Sequence, residues 1–124
     1  MDAGLADHLR AASASARRHA LAFQTPAGKD ALPWSVIEAF DATIRGHVER
    51  DPRIEDERDR VLIAAVKLAE TPAEEGEDII AAARAHLVDA IEYLEQAVMR
   101  FGRVNRQGAK LGYGRYGQPV GTRD

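Results

Sequence analysis

A chain of 124 residues, 45% hydrophobic and 30% charged with a net charge of −3, has the size and composition of one soluble globular domain. The absence of cysteine excludes disulfides, thiolate catalysis and cysteine-based zinc sites. The chain has no run of about 18 apolar residues that would predict a membrane span, so we expect no membrane association. Because cysteine is absent and the N-terminus shows no secretory signal pattern, we expect a cytoplasmic protein.

The first half of the chain predicts two helices. Apolar residues recur at three- and four-residue steps over about 3–23, and a turn at 25–30 ends this first helix because it contains Pro and Gly. A second helix begins near Pro33 or Ser35, since Ser35 and Glu38 have capping-box spacing. Trp34 is expected to fold over its entry. The predicted buried face of this helix is Val36, Ile37, Phe40, Ile44 and Val48.

Asp51-Pro52 is predicted to end the second helix and to begin a third. The residue before a proline leaves helical geometry, whereas Asp is a good cap and Pro suits the first helical position. A second start signal is Thr71-Pro72-Ala73-Glu74, in which Thr71 and Glu74 would form a capping box. The residues of the third helix expected to face inward are Ile54, Val61, Leu62, Ala65 and Leu68.

The fourth helix is predicted to run from Pro72 to about Arg106, because apolar residues alternate steps of three and four along it. At about 1.5 Å per residue it would be roughly 50 Å long, whereas the second and third helices would reach only about 25–28 Å. Its last three turns would therefore either project or pack on the first helix or on a second subunit. Exposed apolar surface on a projecting helix is costly, so we expect a homo-oligomer formed through Leu94, Val98, Phe101 and Val104.

Short connections at 51 and 71 predict antiparallel neighbours. The predicted fold is therefore all-α, an antiparallel up-down four-helix bundle with a long C-terminal helix and an extended Gly/Tyr/Arg-rich tail. Residues 1–106 would form the helical bundle. Residues 107–124 would form the C-terminal tail, which is not an independent domain.

The sequence carries no enzyme signature. None of the three serines has a recognisable nucleophile motif around it, and the four histidines lack the paired Glu-x-x-His pattern of a di-iron helical site. The tail contains a Gly-x-Gly-x-x-Gly run, but no predicted strand and helix flank it, as a dinucleotide site requires. We therefore predict a protein that is not an enzyme, with no catalytic residues, no cofactor and no bound metal.

The charge of the chain reverses at residue 100, near the end of the predicted fourth helix. Residues 38–99 carry 7 basic and 16 acidic side chains, whereas residues 100–124 carry 6 basic and one acidic. Tyrosine and arginine supply many hot spots of protein interfaces, and the same residues suit single-stranded nucleic acid, although the acidic body would repel phosphates. An inert solvated tail is a further alternative.

The favoured function is that of a non-enzymatic helical interaction or assembly subunit, adaptor or chaperone-like. It would dock a partner protein through its basic C-terminal arm. The alternative function is that of a small accessory protein that binds single-stranded nucleic acid through the Tyr/Arg/Gly tail. The predicted partner-binding residues are Arg103, Arg106, Lys110, Tyr113, Arg115 and Tyr116.

Overall fold

The structure is a computed structural model, and it describes residues 1–23 and 34–104. These residues contain no strand, so the predicted all-helical fold is confirmed for them. A three-residue 3₁₀ turn, Ala73–Glu75, precedes the last helix. The four helices are α1 (Ala3–Ala22), α2 (Trp34–His47), α3 (Pro52–Glu70) and α4 (Glu77–Phe101).

Side-chain caps fix the starts of α1 and α3. The carboxylate of Asp2 accepts a hydrogen bond of 2.8 Å from the backbone N–H of Leu5, which satisfies one of the free donors at the start of α1. Asp51 accepts one of 2.8 Å from the N–H of Arg53, and Pro52 occupies the first turn of α3. The predicted cap at Asp51-Pro52 is therefore confirmed.

The predicted start of the fourth helix is wrong. The hydroxyl of Thr71 donates to the carbonyl of Lys67 at 2.6 Å, so it satisfies the end of α3 instead of capping the next helix. The 3₁₀ turn that follows has no side-chain cap. Gly76 then adopts a φ of 98°, a conformation that favours glycine, and α4 begins only at Glu77.

The predicted end at Arg106 is wrong as well. Helix α4 ends at Phe101, and the chain turns back onto the connection between α2 and α3. The carbonyl of Arg103 accepts a hydrogen bond of 2.7 Å from the N–H of Glu49, and Val104 forms an isolated antiparallel bridge with Val48. With 25 residues, α4 is about 38 Å long, against about 30 Å for α1. The projecting turns expected from the sequence are absent from the described residues.

Two contacts explain this early end. The guanidinium carbon of Arg53 lies 3.8 Å from the centre of the Phe101 ring, so α3 holds the last residue of α4 by a cation–π contact. Gly102 follows, and a side chain there would run into the carbonyl oxygen of Val98. The apolar sequence pattern continues past this point, but the chain leaves helical geometry at Gly102.

All four helices contribute to one core. Helix α1 packs against α2 and α4, and α4 packs most extensively against α3. Helices α2 and α3 approach each other at few backbone positions. No helix within the described ranges is long and apolar enough to cross a membrane. The largest fully buried apolar side chains are Phe40, Leu9, Ile44, Ile54, Leu68, Leu87, Ile91, Leu94 and Val98.

Candidate functional site

A hollow in the described part of the chain lies between α2 and α3, which approach each other at few backbone positions. Its volume is about 640 Å³, within the range of small-molecule and peptide-binding clefts. We call it the α2–α3 groove. It is lined by Trp34, Ile37, Glu38, Ala39, Asp41, Ala42, Arg45, Arg58, Asp59, Val61 and Leu62.

The groove has an apolar floor and an apolar rim. Ile37 and Val61 are buried and form the floor, one from each helix. Leu62 stands on the rim with 57% of its surface exposed, and Trp34 lies half-buried at the start of α2. Leu62 was predicted to face inward, and that prediction is wrong. An exposed leucine and a half-buried tryptophan beside an apolar floor are typical of a surface that contacts another molecule.

An ion-pair clamp bridges the two helices within the groove. Arg58 of α3 binds both carboxylate oxygens of Asp41 on α2, with N–O distances of 2.6 and 3.0 Å. A third guanidinium nitrogen of Arg58 binds Glu55 at 2.9 and 3.0 Å. Arg45 approaches Asp41 from the other side at 3.0 Å. Bidentate hydrogen bonds of this kind attract the two helices and also hold them at a fixed spacing.

The clamp stays charged at neutral pH. Burial by itself disfavours the ionised form of Asp41, but hydrogen bonds from Arg58 and Arg45 outweigh it and lower the pKa of that carboxyl. The hydrogen bond to Asp41 also raises the pKa of the Arg58 guanidinium. Neither group is suited to exchange a proton near pH 7, so the clamp has a structural role and does not fit general acid–base catalysis.

The rim of the groove carries unpaired negative charge. Glu38 and Asp59 are both exposed, and neither makes an ion pair with another described residue. A second hollow of about 430 Å³ continues the groove toward the start of α3, and we call it the groove foot. Groove and foot together carry five carboxylates and three guanidinium groups. The groove foot is lined by Ile44, Arg45, Val48, Glu49, Arg50, Glu55 and Arg58.

A third hollow, of about 570 Å³, lies between α3 and α4. Ile63 and Tyr93 flank it, with 65% and 57% of their surfaces exposed, and His86 and Asp89 line it. Because α3 and α4 are the most extensively packed helix pair, this hollow is a depression between two touching helices. The α2–α3 groove instead separates helices that lack such packing, and it is the stronger candidate for a docking site.

The residues predicted for self-association lie mostly inside the chain. Leu94 and Val98 are fully buried in the core, so their apolar surface is already covered by the same chain. Phe101 is half-buried beneath Arg53, and Val104 pairs with Val48. Self-association through these residues stays a prediction, and Leu94 and Val98 would take part in it only after the helices separate.

Of the residues predicted to bind a partner, only Arg103 belongs to the described chain. Its side chain is exposed, and its carbonyl accepts a hydrogen bond from the N–H of Glu49 where the chain turns back. The other predicted partner-binding residues lie outside the described ranges: Arg106, Lys110, Tyr113, Arg115 and Tyr116.

The clamp was not predictable from the sequence pattern, because its partners, Asp41 and Arg58, are 17 residues apart and on different helices. One signal could have indicated the exposed face of α3. Leu62, Ile63 and Val66 stand outside the apolar stripe that Ile54 and Val61 begin, and apolar residues off the stripe of an amphipathic helix point to a second contact surface.

The chain matches no family model, and comparisons with curated proteins and with solved structures reveal no similar protein. Within residues 1–23 and 34–104, no group of three His, Asp or Glu side chains lies close enough together to hold a metal ion. The geometry of the groove is therefore the main basis for assigning a function.

Proposed function

We propose that this chain is a non-enzymatic helical interaction subunit, adaptor or chaperone-like, that docks a partner protein in the α2–α3 groove. In this proposal the helices form an up-down four-helix bundle with one edge left open, between α2 and α3. The partner supplies a basic amphipathic segment that fills the open edge. Docking by an amphipathic helix in an apolar groove is a common way for proteins to recognise peptides.

The observation that carries the proposal is the combination of apolar floor and acidic rim at this edge. Ile37, Val61 and Leu62 offer apolar contact, and Glu38 and Asp59 offer unpaired negative charge beside it. A basic amphipathic helix presents one apolar face flanked by Lys or Arg, so both parts of the groove are matched at once. Electrostatic complementarity of this kind also speeds association and selects among partners.

The Arg58 clamp supports a docking role over a catalytic one. It sets the spacing of α2 and α3 without filling the apolar part of the groove. The residues that line the groove include no His and no Ser to act as base or nucleophile. A groove with a fixed width and neither of these groups is suited to binding.

Trp34 allows a direct test, because it is the only tryptophan of the chain and lies in the groove. The full-length protein is titrated with three synthetic peptides: a basic amphipathic helix, its acidic counterpart, and a basic peptide with the same composition in scrambled order. We expect only the first to change the emission of Trp34 in a saturable way, because only it combines an apolar face with positive charge.

The matched controls are two neighbouring residues of α3. Leu62→Ser removes an apolar rim residue of the groove, whereas Ile63→Ser removes an equally exposed residue that faces α4. We expect at least tenfold weaker peptide binding for the first and unchanged binding for the second. Equal losses for both variants, or equal binding of the acidic peptide, would contradict the proposal.

A single-stranded oligonucleotide tests the alternative function in the same assay. Binding that falls steeply with salt, in the absence of peptide binding, would assign the chain to nucleic-acid recognition instead. Under the docking proposal we expect the oligonucleotide to leave the emission of Trp34 unchanged, because the groove and its foot are net acidic.

A further inference from the structure

We infer that the basic C-terminal segment of the same chain, residues 105–124, occupies the α2–α3 groove when no partner is bound. The segment would act as an internal competitor that a partner must displace. This inference rests on the proposed function, because it assigns the resident ligand of the same groove.

The first support is where the described chain ends. Val104 pairs with Val48, and the carbonyl of Arg103 accepts a hydrogen bond from Glu49. Val48 and Glu49 are themselves residues of the groove foot. Residue 105 therefore follows from a point on the foot, at one end of the groove that the segment would enter.

The second support is length. Helix α2 has 14 residues and forms one wall, so the groove extends for about 21 Å from its foot to Trp34. An extended chain covers about 3.3 Å per residue, and about seven residues therefore span this distance. Counted from Val104, the seventh residue is Leu111. The apolar and basic centre of the segment thus has the right reach to lie beside Trp34.

The third support is charge and chemistry. The segment carries four basic residues and one acidic residue, whereas groove and foot carry an excess of two carboxylates over guanidinium groups. Leu111, Tyr113 and Tyr116 alternate with Lys and Arg, so apolar and positive groups are interleaved. This is the chemistry that the floor and the rim of the groove would recognise.

A tethered competitor changes the affinity for a partner in a calculable way. A short flexible connection gives an effective concentration in the millimolar range. If the segment binds the groove with a Kd of about 0.1 mM, it weakens the apparent affinity of a partner about tenfold. Removing the negative charges of the rim would weaken the binding of the segment and of a basic partner together. The position of the segment is therefore measured directly, without a partner.

The experiment uses the full-length chain, in which an introduced cysteine is the only thiol. Gly112→Cys, next to Leu111, is labelled with a nitroxide, which quenches tryptophan emission at short range. We expect the emission of Trp34 to be at least halved at low ionic strength relative to the same variant with its label reduced. About 1 M salt should restore it, because salt screens the attraction.

Charge-matched variants locate the contact. Glu38→Lys with Asp59→Lys reverses both rim carboxylates and should abolish the quenching. Asp56→Lys with Asp89→Lys makes the same change of net charge, but Asp56 pairs with the exposed Arg60 and Asp89 lines the hollow between α3 and α4, so quenching should persist. Circular dichroism of each variant verifies that the helices are retained.

Three results would overturn the inference. The first is full Trp34 emission in the labelled chain at low salt, and the second is an equal loss of quenching in both charge-matched variants. The third is quenching that appears when labelled Trp34→Phe chains are mixed with unlabelled chains, because the segment would then occupy the groove of another copy. If the basic peptide still binds in the groove while the segment stays away, this inference fails and the proposed function stands; if neither binds, both fail.

Discussion

Replacing Arg58 by methionine tests whether the clamp holds α2 and α3 together. Methionine keeps an unbranched stem and a similar helix propensity, so the main loss is the guanidinium and its four hydrogen bonds of 2.6–3.0 Å to Asp41 and Glu55. The side chain of Arg58 is only 18% exposed, and those of Asp41 and Glu55 are 32% and 30% exposed. The variant would leave two half-buried carboxylates without the guanidinium that they share.

The expected cost follows from this partial burial. Breaking a fully buried ion pair costs about 3–5 kcal/mol, whereas exposed pairs are worth about 0–1 kcal/mol. An intermediate loss of about 2 kcal/mol in the free energy of unfolding is therefore expected. That corresponds to a roughly 30-fold change in the folding equilibrium and to a fall in Tm of about 8 °C for a chain of this size.

The assay is urea denaturation followed by circular dichroism, with Arg60→Met as the matched control. Arg60 lies on the same helix and pairs with Asp56 at 3.0 Å, but both side chains are more than 60% exposed. Its loss should cost less than about 0.5 kcal/mol. If Arg58→Met costs no more than Arg60→Met, the clamp does not stabilise the α2–α3 edge. A double-mutant cycle with Asp41→Asn then measures the coupling directly.

Three further predictions concern the body of the protein. Ser13→Ala should raise the free energy of unfolding by about 1 kcal/mol, because the buried Ser13 hydroxyl has no hydrogen-bond partner among the described residues; a lower value in urea denaturation would contradict this. Gly102→Ala should cost about 1–2 kcal/mol and speed amide exchange at Glu49, because the added methyl meets the Val98 carbonyl; unchanged exchange would contradict it. The free energy of unfolding should fall in acid, because the pKa of Asp41 is lower in the folded chain than its ordinary value of 3.8. The contribution of ionised Asp41 to stability is complete above pH 3.8 and is lost as the pH falls through its lower folded pKa. This loss should be smaller in Arg58→Met.

The sequence predicted local features well where local chemistry decides them. The Asp51-Pro52 signal has one reading, since Asp can cap only the helix that follows and Pro fits only its start. Thr71 has two options, because its hydroxyl can cap the next helix or bond back to the helix before it. Gly76 decides between them, because its positive φ interrupts helical geometry just before α4 begins.

Features that depend on distant contacts were not predictable in the same way. The apolar pattern of α4 continues past Phe101, but the contacts of Arg53 with Phe101 and of Val48 with Val104 end the helix there. The α2–α3 groove likewise arises from how the helices are spaced, which the pattern of one helix does not contain. Only the exposed apolar residues beside Leu62 gave a sequence signal for a contact surface on α3.

A two-dimensional NMR titration of the full-length protein with the basic amphipathic peptide tests docking in the groove most directly. If the peptide docks in the groove, we expect saturable shifts of the single Trp34 indole signal and of the amides on both walls, residues 34–42 and 58–62. Shifts centred instead on Ile63, His86 and Tyr93, or an unchanged spectrum at saturating peptide, would contradict it.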